Sequence, residues 1–115
     1  MRPIALAALA LVLVGCGSKP KPTLAGCLDD HGFLVSGTIG GARGTSPGGV
    51  AFSLTLHADR AAARRALARL PRATAALAGR AVVDWHGNPS PRARITAAEL
   101  ATIRSCTTLA APAAR

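Results

Sequence analysis

The chain has 115 residues, with 14 Lys+Arg against 5 Asp+Glu, a net charge of +9 and only 3% aromatic residues. That length suits one small domain, and so few rings leave its core to Val, Leu, Ile and Ala, where a covalent staple helps. The basic residues are spread along the chain rather than set among aromatics in one tract, which argues against nucleic acid as a partner.

Met1-Arg2-Pro3 is a short positive start, and Ile4 to Val14 is unbroken apolar sequence. Eleven residues are too few to span a bilayer, which takes about 20, but they suit the apolar region of an export signal. Leu13-Val14-Gly15-Cys16 follows at once. It resembles the lipobox of bacterial lipoproteins: aliphatic, aliphatic or small, small, cysteine. The resemblance covers the first sixteen residues. It implies a diacylglyceryl thioether on Cys16, further acylation such as palmitate, and cleavage between Gly15 and Cys16. Residues 1–15 are then a signal peptide, and the protein sits on the extracytoplasmic side of the cell membrane. Two acyl chains hold stably where one is marginal.

Residues 16–23 form a lipidated cysteine and a Lys/Pro tether, in which alternating Lys-Pro favours extended chain. Its lysines lie where anionic headgroups would attract them. Once Cys16 is lipidated, an even pair of cysteines remains in an exported domain, so Cys27 is expected to bond to Cys106. The two bracket almost all the patterned sequence. Nothing in the chain has the Cys-X-X-Cys spacing of a redox motif.

Within residues 24–108, Thr23 to Asp30 reads as a short helix carrying Cys27, stopped by His31-Gly32. Phe33 to Ile39 reads as a strand. Gly40 to Gly49 reads as a mobile glycine-rich turn. It lacks the Gly-Lys-Ser/Thr ending of a phosphate loop. Val50 to His57 is the clearest strand, with Val50, Phe52, Leu54 and Leu56 alternating against Ala51, Ser53, Thr55 and His57. Asp59 is placed to cap a helix whose stripe is Ala63, Ala66, Leu67 and Leu70, with Arg60, Arg64, Arg65 and Arg69 on the opposite half. Those arginines suit solvent, anionic lipid or an anionic wall polymer. Pro71 breaks the helix, and Ala73 to Ala78 reads as its continuation.

Arg80 to His86 reads as a third strand, followed by the rigid loop Asn88-Pro89-Ser90-Pro91. Thr96-Ala97-Ala98-Glu99 has the pattern of a capping box, with Ile95 and Leu100 as its hydrophobic staple. The last helix runs to about Cys106, and residues 109–115 read as a disordered Ala-rich tail. The expectation is an α+β domain of helix-strand-strand-helix-strand-helix order. Its small three-stranded, partly antiparallel sheet carries the helices on one face. In outline the chain is similar to small lipoproteins of high-GC Gram-positive bacteria.

For function, the expectation is a non-catalytic binding or structural module of the cell envelope, without a cofactor. Its polar sheet face (Ser53, Thr55, Asp84) or its arginine helix would meet a partner. A second reading is an envelope metal-binding protein. If a right-handed crossover makes the third strand parallel, His31, His57 and His86 reach one sheet edge, with Asp84 beside them, as Zn²⁺ or Cu²⁺ would require. An enzyme has less behind it. The aspartates form no recognisable acid/base pair, Glu99 is committed to its cap, and Ser36, Ser53 and Ser90 lack a nucleophile elbow.

Overall fold

The computed structural model describes residues 23–108. The signal segment, Gly15, Cys16, the tether before Thr23 and the tail from 109 lie outside the described residues. Helix α1 covers Leu24–Asp30, and the Thr23 hydroxyl accepts from the Gly26 N–H at 3.0 Å to cap it. Strands β1 (Leu34–Thr38), β2 (Gly41–Thr45) and β3 (Ala51–Leu56) follow, then α2 (Arg60–Leu67) and a single 3-10 turn at Arg72–Thr74. Strands β4 (Ala75–Ala78) and β5 (Ala81–Asp84) precede α3 (Ala97–Thr107).

The domain is α+β, with one five-stranded sheet in the order β1-β2-β3-β5-β4 and every neighbouring pair antiparallel. Three details of the sheet differ from the expectation. The glycine-rich stretch contains β2, which pairs with β1 and β3 on both sides. The alanine run after Pro71 is a 3-10 turn and edge strand β4, not more helix. Because the two-residue turn at Gly79-Arg80 reverses the chain into β5, the third expected strand lies antiparallel to β3. Gly79 makes that reversal with φ of +65°, a left-handed value a side chain resists.

Glycines in β2 have a steric reason. A Cβ on Gly41 would lie 1.8 Å from the Leu54 carbonyl oxygen, and one on Gly44 would lie 2.0 Å from that of Leu34. The close approach of three strands there leaves no room for a methyl group.

Strand alternation divides the sheet into two unlike faces. On one, Phe52, Leu54 and Val83 pack with Leu24 and Leu28 of α1, Ile103 and Cys106 of α3, and Phe33, Trp85 and Ile95. Phe33 and Phe52 meet edge to face, with centroids 5.9 Å apart, a favoured aromatic geometry. Cys27 and Cys106 tie α1 to α3, with sulfurs 2.05 Å and Cα atoms 5.7 Å apart. On the other face Ala75 and Val82 are buried outside that core, where α2 contacts β4 and β5 and buries Ala63. The helices therefore flank the sheet on both faces rather than one, and α2 covers only the β4–β5 end.

Asn88 extends the sheet without being in a strand. Its Oδ1 accepts from the Ala51 N–H at 3.0 Å, and its Nδ2 donates to the carbonyls of Ala51 at 2.8 Å and Trp85 at 2.7 Å. The amide mimics a paired residue where β5 has already turned away. Asn88→Ala is expected to cost about 3 kcal/mol, because three hydrogen bonds with net contributions of about 1 kcal/mol each are lost. Asn88→Asp is expected not to restore it, since a carboxylate cannot donate to the two carbonyls. Urea denaturation of the three proteins measures both.

Candidate functional site: the uncovered sheet face

The pairing registers line up one polar row across four strands. Ser36 pairs with Arg43, Arg43 with Ser53, and Ser53 with Asp84. Residues directly opposite on one face stand about 5 Å apart, so the row runs roughly 15 Å across the sheet. The buried residues alternate away from it: Ala42, Phe52, Leu54 and Val83 point into the core. What remains is a face that α2 leaves open.

A groove of about 960 Å³ follows this row, lined also by Leu34, Thr45, His86 and, from α1, Asp29. Two of the chain's five carboxylates therefore line one groove in a strongly basic protein. Asp84 is oriented by its own backbone, its Oδ1 accepting from the His86 N–H at 2.9 Å. Arg43 is exposed, and among the described residues its guanidinium meets no carboxylate. A groove with one free cation, two anions and the three hydroxyls of Ser36, Thr45 and Ser53 offers donors and acceptors to a polar ligand. Arg43 is absent from the expected binding face because three glycines in Gly40–Gly44 disguise its strand, the Ala42-in, Arg43-out alternation being its one visible sign; Ser36 joins the row only because that hidden strand pairs with β1.

The expected histidine centre does not assemble. The His57 N–H donates to the Arg80 carbonyl at 2.9 Å, at the start of β5, whereas His86 lies beyond Asp84 at its other end. The antiparallel register sets them six residues apart along β3, about 20 Å. A parallel β5 would have brought them together; the hidden strand β4 prevents it. His31 lies elsewhere, with Nδ1 2.9 Å from the Cys27 carbonyl oxygen. Ligand atoms of Cys27, His31 and Cys106 do lie within 4.8 Å of one another, but both sulfurs are bonded to each other.

The other expected residues fall as follows. Glu99 is committed on both oxygens: Oε1 accepts from the Thr96 N–H at 2.9 Å and Oε2 from the Gly48 N–H at 3.1 Å. It thereby ties the cap of α3 to the β2–β3 turn. Arg60, Arg64, Arg65 and Arg69 are all exposed. Among the described residues no helix is long and apolar enough to cross a membrane.

Arg43→Ala is expected to change stability by no more than about 0.5 kcal/mol, as an exposed side chain without a partner should. A larger loss on thermal denaturation would give Arg43 a structural role in place of a surface one. The chain matches no family model, no curated protein and no solved structure.

Proposed function

We propose that the chain is a lipid-anchored, extracytoplasmic lipoprotein of the cell envelope, a non-catalytic module that binds its ligand on the open sheet face. The observation that carries the reading is the run Leu13-Val14-Gly15-Cys16 placed directly after eleven apolar residues. Three features of the fold support it. Thr23 caps the first described helix, and the sequence between Cys16 and that cap is a short Lys/Pro stretch. Cys27 and Cys106 stand at bonding distance, as suits an oxidising compartment. The polar row Ser36–Arg43–Ser53–Asp84 is free of covering helices, as a binding face requires.

Intact-mass and peptide mass spectrometry of the protein from its membrane fraction tests the anchor. The expected N-terminal peptide begins at Cys16 and carries a diacylglyceryl group with fatty acyl chains. A peptide that begins before Cys16, or an unmodified Cys16 thiol, would remove the proposal.

A further inference from the structure

A second groove, of about 960 Å³, runs between α2 and β4 on the covered side of the sheet. Its apolar lining is Leu67, Leu70 and Leu77 with small alanines around them, and Arg64, Arg65 and Arg72 stand at it. Among the described residues no carboxylate lines it. All three arginines are exposed, and among the described residues none of their guanidiniums meets an acidic group.

The arrangement has a physical oddity. Solvated arginines on a helix need no apolar surface beside them, yet the half-buried Leu67, Leu70 and Leu77 present their remaining apolar surface to this groove. Three cations in one place also repel one another unless an anion joins them. One ligand resolves both: a molecule with an apolar chain for the leucines and a phosphate for the guanidiniums. Arginine suits phosphate because its planar fork donates two parallel hydrogen bonds. The volume lies within the range of small-molecule sites.

We infer that the α2–β4 groove binds an anionic phospholipid, its acyl chain along Leu67, Leu70 and Leu77 and its phosphate between Arg64, Arg65 and Arg72. This deepens the reading of a membrane-held module by naming a lipid partner, yet it uses neither Cys16 nor the open sheet face. A failure to bind lipid would leave the anchor standing. Of the four arginines of the helix, Arg64 and Arg65 belong to the groove, whereas Arg60 and Arg69 do not line it.

Native mass spectrometry of the full chain, released from a neutral detergent, tests the site with three probes. Phosphatidylglycerol is expected to be retained as a one-to-one adduct. Phosphatidylcholine with the same acyl chains, and glycerol phosphate without them, are expected to be retained at least about tenfold less. The variant R64Q/R65Q/R72Q should lower phosphatidylglycerol retention by about tenfold or more, since charge-assisted contacts are worth factors of that order. Ala68→Phe, which fills the groove without touching charge, should do the same. The control R60Q/R69Q/R94Q removes equal charge outside the groove and should retain the lipid. Equal retention of the two phospholipids, equal loss in the control variant, or glycerol phosphate binding as well as the lipid would each overturn the assignment.

Discussion

Reducing the Cys27–Cys106 bond is expected to lower the unfolding free energy of the domain by about 4–5 kcal/mol. The bond closes a loop of 79 residues, and the chain-entropy model assigns a closed loop of that length a cost of this order to the unfolded state. Native domains are stable by roughly 5–15 kcal/mol in all, so about a third of the margin or more rests on one bond. Composition explains the dependence. The core holds only Phe33, Phe52 and Trp85 as large rings, and much of the rest of it is Ala and Val. The bond also joins the two helices that cover one face of the sheet, and Cys106 is fully buried. Urea titration of the oxidised protein, the reduced protein and the C27A/C106A variant measures the effect. The last two should agree with each other and fall well below the first. Oxidised and reduced midpoints that coincide would show that packing alone holds α1 and α3.

The second large effect is expected at Gly44. In Gly44→Ala the new methyl group would lie 2.0 Å from the Leu34 oxygen and 2.7 Å from the Val35 Cα. These are backbone atoms, so no rotamer change relieves the contact, and β1 must move away from β2. A loss of about 3 kcal/mol is expected, at the upper end for overpacking. Gly37 supplies the contrast on the neighbouring strand. A Cβ there meets nothing closer than the Ala25 Cβ at 4.0 Å, so Gly37→Ala should be neutral, or stabilising by up to about 1 kcal/mol through the unfolded chain. Similar losses in both variants would mean that strand propensity, rather than the close approach of β1 and β2, governs these positions.

Gly44 also shows why part of the fold was hidden in the chain. Strand β3 was plain because Phe52 and Leu54 alternate with Ser53 and Thr55, and the packing uses that alternation directly. The caps were equally plain: Asp59 accepts from the Ala62 N–H at 2.8 Å, and Thr96 and Glu99 form the reciprocal box. Strands β2 and β4 carry almost no such pattern. Gly41-Ala42-Arg43-Gly44-Thr45 carries two glycines that read as a turn, because the neighbouring backbones come too close there for a side chain. Ala75-Ala76-Leu77-Ala78 is built of good helix formers, and only pairing with β5 overrides that preference.

The hidden strands carried the site with them. Without β4, a right-handed crossover from α2 makes the third strand parallel, and only then do the three histidines converge. With β4 in place the same chain turns at Gly79, and His57 and His86 part to opposite ends of the β3–β5 pair. The polar row was half legible: Ser53 and Asp84 stood on recognisable strands, while Arg43 sat in the disguised one. The α2–β4 groove was legible only as an arginine face, since the edge strand that completes it could not be read.

Whether the folded domain works at a membrane at all turns on a single sulfur. Replacing it in Cys16→Ser leaves every residue of the described domain unchanged, so folding and the Cys27–Cys106 bond should persist while the attachment point is gone. Fractionation of cells expressing the two proteins, with a high-salt wash to remove charge-held material, gives the answer directly. The account predicts that the parent chain stays with membranes through the wash, while the serine variant retains its uncleaved N-terminal segment and carries no acyl label. Acyl label on the serine variant equal to that on the parent, or a parent chain that washes into the soluble fraction, would contradict it.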